Sequence, residues 1–91
     1  MTTLTDDQIT ARMKELKEWA RKGDDITKPF DLKHFVHSMG FVNSVALLAE
    51  KANHHPDIDI RWNCVTLTLS THSAGGLTAK DFDLAKAIDT L

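Results

Sequence analysis

The segment "ANHHPDIDIRW" sets His54 and His55 side by side directly before Pro56, and a third histidine, His72, follows a patterned apolar run. Neutral imidazole both donates and accepts a hydrogen bond. Its unperturbed pKa near 6.5 lets it exchange a proton close to neutral pH, so a group of imidazoles suits general acid/base work. Each histidine also has a plainer use: His54 and His55 can bond the last carbonyls of a helix, and His72 can be an ordinary strand-end residue. A metal site would need the paired ligand spacing of a zinc protein, and adjacent residues rarely point to one ion. Nucleophilic catalysis lacks a nucleophile, because Cys64 falls in a turn by pattern and neither Ser70 nor Ser73 has a motif around it. Proton transfer on a small bound molecule is the chemistry to which all three residues contribute. His34 and His37, three apart on a helix with no third partner in view, read as surface residues.

Positioning these groups falls to elements whose patterns are distinct. Thr5 with Gln8 makes a capping box, and Leu4 can staple to Ile9, opening a helix from about Asp6 to Lys17 with Ile9, Met13 and Leu16 on one stripe. Trp19 and then Ile26 and Phe30 flank "KGDD", which reads as a β-hairpin. Pro29 places the second of these strands at a sheet edge, or at a point where no ladder bond is needed. Asp31 is the expected cap of a long helix ending near Asn53, because Pro56 disfavours the helical conformation at His55. Leu32, Phe35, Val36, Met39, Val42, Ala46 and Ala49 form the stripe expected to face the sheet, and Phe41, Val45, Leu48 and Ala52 form a second one. So wide an apolar arc suggests self-association.

Ile58, Ile60 and Trp62 should share one strand face, Val65, Leu67 and Leu69 one face of the next, with Asn63 and Cys64 at a tight turn. Thr66, Thr68, Ser70 and His72 then occupy the opposite face. Thr78 and Asp81 resemble a capping box before a last helix carrying Phe82, Ala85 and Ile88. The predicted class is α+β, in the order α-β-β-α-β-β-α, with a four-stranded antiparallel sheet and helices packed on one face.

Composition narrows the partners. The 91 residues fit a single domain over 1–91, with 42% hydrophobic and 26% charged residues, the balance of an ordinary globular chain. A net charge of −2 with interspersed signs offers no field for a phosphate backbone, so direct nucleic-acid binding is not expected. The first residues lack the charged and apolar regions of a signal peptide, and no stretch approaches a membrane span, so a cytoplasmic protein without membrane partners is expected. Cys64 stands alone, which excludes an intramolecular disulfide and a multi-cysteine metal site.

Glu50, His54-His55-Pro56, Trp62 six residues past the proline, His72 ten further on and Asp81 nine beyond that resemble the signature of the pterin-4a-carbinolamine dehydratases. The string "AEKANHHPDIDIRWNCVTLTLSTHSAGGLTAKDFDLAKAID" is similar to that family throughout, and "PFDLKHFVHSMGFVNSVALLAE" resembles its central helix, the match being weakest before Trp19. The resemblance implies dehydration of 4a-hydroxytetrahydrobiopterin, or a related 4a-hydroxytetrahydropterin, to quinonoid dihydropterin and water. That step serves regeneration of the cofactor of aromatic amino-acid hydroxylases, and it calls for neither a metal nor a redox cofactor.

Carried over by position, His54, His55 and His72 match the family's active-site histidines, and Asn53, Ser70, Thr71 and Ser73 match its pterin-contacting segments. His54 and His72 are the expected principal proton-transfer groups, with His55 assisting or orienting the ring. Trp62 can line the pterin pocket or pack in the core. Glu50 can polarise an imidazole or be a solvated helix carboxylate. Asp81 can support the site, although at the third position of a capped helix it stabilises that end in any protein. Some family members also act as dimerization cofactors of a homeodomain transcription factor, so a non-enzymatic protein-binding module is the alternative. Retention of all three histidines argues for catalysis, in a homo-oligomer, dimer or tetramer.

Overall fold

Thr5 opens the first helix as its spacing predicts: its hydroxyl accepts the Gln8 N–H at 3.2 Å, and the Gln8 side chain accepts the Thr5 N–H at 2.8 Å. In this computed structural model, which describes residues 2–91, α1 spans Asp6–Met13. It stops short of Lys17 because the next bonds are tighter i−3 ones, Glu15 to Arg12 and Leu16 to Met13. Glu18 then turns through a φ of 62°, and the Lys17 N–H goes to the Asp89 carboxylate at 3.1 Å. The chain leaves the helix to reach the far end of the last one.

β1 (Ala20–Lys22) and β2 (Asp25–Asp31) are joined through Gly23, whose φ of 59° favours glycine. α2 (Phe35–Ala52) leads to β3 (Asp57–Arg61) and β4 (Cys64–Leu69), then to a one-turn 3-10 helix at His72–Ala74 and α3 (Ala79–Ile88). The sheet order is β1-β2-β4-β3, antiparallel throughout, so the α+β architecture matches the expected one. Val65, Leu67 and Leu69 of β4 are buried with Ile26, Val45, Ala49, Phe82, Ala85 and Ile88 in the core. Thr66, Thr68 and Ser70 alternate with them on the other face, only half-buried. No helix among the described residues is long and apolar enough to cross a membrane.

Three expectations need correction, and the one for Pro29 resolves to its second alternative. β2 lies inside the sheet, yet β1 reaches only to Thr27, so Pro29 has a strand neighbour on the β4 side alone, opposite Thr66. Asp31 does not cap α2: the ladder holds it opposite Cys64, and the cap is His34, whose Nδ1 accepts the His37 N–H at 3.1 Å. The core side of α2 draws on both stripes, taking Ala49 with Val42 from the one expected against the sheet and Val45 from the other. Ser38, Val45 and Ala49 are buried with Phe41 and Leu48 beside them, while Phe35, Val36 and Ala46, expected against the sheet, are exposed. Both stripes are apolar, so periodicity could not rank them. Finally, the β3–β4 turn is Trp62-Asn63, because Arg61 already pairs with Cys64. Trp62 takes a φ of 50° and is 82% exposed, and every residue of the edge strand β3 is exposed, Ile58 and Ile60 included.

Candidate active site

Asn53 ends α2 in the left-handed region, at φ 50° and ψ 45°, and the His54 N–H returns to the Ala49 carbonyl at 3.0 Å. That reversal carries His54 and His55 off the helix axis before Pro56 starts the extended path into β3. On the far side, β4 runs out at Leu69, and a bridge between Thr71 and Gly76 pinches the loop holding His72 and Ser73. Gly75, at φ 83°, closes this loop. Between the two lies a cleft of about 270 Å³ lined by Asn53, His54, His55, Asp57, Thr68, Ser70, Thr71, His72 and Ser73.

Thus the seven residues assigned to catalysis and substrate contact from sequence line one cavity. Asp57 and Thr68 were missed. They face each other across the β3–β4 ladder, a proximity that only the register reveals. Trp62 stands at the opposite end of β3 from Asp57, beside Phe35 and Ile60, and neither lines the cleft nor enters the core.

Beneath the cleft, Asp81 is fully buried and is held by three elements at once. Its Oδ2 accepts the Thr71 hydroxyl at 2.8 Å and the Thr78 N–H at 2.9 Å, and its Oδ1 meets His54 Nε2 at 2.5 Å. Thr71 has one proton and gives it to Asp81, so Thr78, at 2.8 Å, donates to Thr71. A carboxylate only accepts, which assigns the proton on His54 to Nε2 and leaves Nδ1 as the nitrogen free to meet a ligand. His55 repeats the arrangement in the open: its Nε2 lies 2.6 Å from Glu50 Oε1, with both side chains exposed. Glu50 therefore orients an imidazole from outside the cleft, and Asp81 orients one from below. His72 comes in exposed on the opposite loop.

Ser70 is partly committed elsewhere, donating to the Asp24 carbonyl at 2.8 Å and tying the cleft wall to the β1–β2 turn. Among the described residues no three His, Cys, Asp or Glu side chains are grouped to hold a metal ion. The arrangement is equipped to move protons: three imidazoles line a shared space, two of them hydrogen-bonded to carboxylates.

Comparison with known proteins gives the family of the chain. Residues 2–91 match the family model described as pterin 4 alpha carbinolamine dehydratase. The chain belongs to that family. Among dehydratase relatives, a protein of Roseiflexus sp. (strain RS-1), assigned the name pterin-4-alpha-carbinolamine dehydratase, is 56% identical over 99% of this chain and 97% of its own. One from Nocardia farcinica with the same assigned name is 53% identical over 100% of this chain and 98% of its own. A crystal structure described as a transcriptional coactivator/pterin dehydratase from Brucella melitensis superposes with a TM-score of 0.94 at 33% identity, covering 98% of this chain and 97% of that one. A pterin dehydratase-like protein described as a RuBisCO assembly factor in the alpha-carboxysome shares the fold alone, with a TM-score of 0.65 at 22% identity over 80% of this chain and 84% of its own. Membership of a dehydratase family makes the chain an enzyme of the hydro-lyase class, as the sequence leads one to expect.

Proposed function

We propose that this cleft dehydrates 4a-hydroxytetrahydrobiopterin, or a close 4a-hydroxytetrahydropterin, to the quinonoid dihydropterin and water. The observation that supports it is the convergence of His54, His55 and His72 on one cavity, two of them aimed by carboxylates. In the reaction the C4a–O bond breaks as its hydroxyl gains a proton and leaves as water. The ring nitrogen bonded to C4a loses its proton, and a C=N bond forms. His54, with its orientation fixed by Asp81, and His72, on the opposite loop, are the pair we assign to these transfers, and His55 assists or orients the ring. Thr71 and Asn53 complete the pocket wall. In this role the enzyme returns oxidised pterin to a form that can be reduced for aromatic amino-acid hydroxylation.

Freshly generated carbinolamine mixed with catalytic amounts of purified protein should lose its 4a-hydroxyl faster than in buffer, followed by ultraviolet absorbance. Equal decay with and without protein would reject the enzymatic reading.

The exposed apolar residues favour a further element of the reading, a homo-oligomer. Val36 and Leu47 of α2 are each 74% exposed, and Phe35 with Ile60 and Trp62 lines an uncovered surface at the edge strand β3. Sedimentation velocity at micromolar concentration should give a dimer or tetramer for the native chain and a smaller species for Leu47→Glu. A native monomer would end the self-association proposal. It would leave this face to a different protein, as the coactivator half of the Brucella melitensis description suggests for that relative.

A further inference from the structure

Asp57 stands at the first position of β3, exposed, and lines the cleft beside Thr68, its partner across the ladder. The neighbouring acidic groups are already engaged: Asp81 with His54, Thr71 and Thr78, and Glu50 with His55. Thr68 shares a 3.1 Å hydroxyl contact with Thr27, and Ser70 donates to Asp24. Asp57, by contrast, takes part in none of the side-chain hydrogen bonds or ion pairs of the described residues. Asp59, two residues on, has Arg61 at 3.3 Å. An unspent carboxylate at the mouth of a cavity is a recognition group for a ligand edge with two parallel N–H donors, because it can accept both at once.

The geometry points to Asp57 as a specificity-determining residue that holds the amino-pyrimidinone edge of the pterin, accepting from N3–H and from the 2-amino group. This inference rests on the pterin reading of the cleft. The other cleft-lining side chains, amides, hydroxyls and imidazoles, cannot offer that edge two anionic acceptors together. The anchor also comes from a different element than the proton-transfer groups. Asp57 fixes the ring from β3, while His54 reaches it from the end of α2 and His72 from the Thr71–Gly76 loop. Specificity and proton transfer can then be altered separately. A carboxylate serving only to keep the edge strand soluble would not distinguish one pterin from another.

The test compares the native chain with Asp57→Asn, in which one acceptor becomes a donor facing the ligand's own donors, and with Asp57→Glu. Dissociation constants for 7,8-dihydrobiopterin and its N3-methyl analogue are read by fluorescence, and KM and kcat come from the carbinolamine assay. For Asp57→Asn, Kd and KM should rise about ten- to a hundredfold, the effect of unpairing a charged hydrogen-bond site, with kcat within about threefold of native. Asp57→Glu should fall between, and the N3-methyl analogue, which lacks one of the two donors, should distinguish native from variant by much less. Unchanged Kd and KM in Asp57→Asn, or an equal loss for both ligands, overturns the anchor while native turnover keeps the dehydratase reading intact. A native chain that neither binds dihydrobiopterin nor turns over the carbinolamine overturns both.

Discussion

His54→Ala is expected to lower carbinolamine turnover by about 10²- to 10⁴-fold, the contribution of one positioned acid or base. His54 is the best supported of the three cleft histidines. It is 9% exposed, and its Nε2 is locked onto a carboxylate that Thr71 and Thr78 hold in turn. Removing the ring leaves Asp81 Oδ1 without its donor, which costs about 1–3 kcal/mol of stability. His54→Gln separates the two effects, since its amide can donate to Asp81 but cannot exchange a proton near neutral pH. It should recover much of the thermal stability and little of the rate. A His54→Ala protein with a native circular dichroism spectrum and a native rate would remove His54 from the chemistry.

Asp89→Ala should be the most damaging single change to stability. Asp89 accepts from Trp19 Nε1 at 3.0 and 3.1 Å, from Lys28 Nζ at 3.0 Å and from the Lys17 N–H at 3.1 Å. The Lys28 and Asp89 side chains are only 12% and 7% exposed, and the ammonium also lies 4.7 Å from the centre of the Phe30 ring. Without Asp89 this ammonium is buried and unpaired, a loss of about 3–5 kcal/mol. In a domain of this size that lowers Tm by roughly 15–30 °C. Replacing both partners by apolar residues, Lys28→Met with Asp89→Leu, should recover much of the loss, because no charge is then left stranded. Thermal unfolding followed by circular dichroism reads all three proteins, and a fall of a few degrees for Asp89→Ala would mean that water reaches the pair. The consequence extends to the site. α3 carries Asp81 in its first turn and Asp89 at its end, so one helix supports His54 and ties down the β1–β2 hairpin.

The element order was readable because its punctuation is chemical: Thr5 with Gln8, the Gly23 turn, Pro56 after the double histidine, and Thr78 with Asp81. The three histidines were readable for the same reason, since each falls where a pattern ends. What sequence could not order was anything decided by tertiary choice between equals. Both stripes of α2 are apolar, and the core took part of each, Ala49 from one and Val45 from the other, while leaving Val36 outside. Trp62 carries the same message. An indole in a strand pattern reads as buried, yet the ladder ends at Arg61–Cys64 and puts it in the turn. Asp57 has no motif of its own, and its place in the cleft follows from its register against Thr68. Asp81 was visible as a helix cap, but its second task, holding His54 from 27 positions away, needed the fold.

The most direct measurement is pre-steady-state decay of the 4a-carbinolamine with the native chain and with a chain in which His54, His55 and His72 are all replaced by alanine, each first shown to be folded by circular dichroism. If the cleft acts by histidine proton transfer, the native chain accelerates decay and the triple variant returns it to the rate in buffer. A folded triple variant that still matches the native chain would contradict it, and would move the chemistry to other groups.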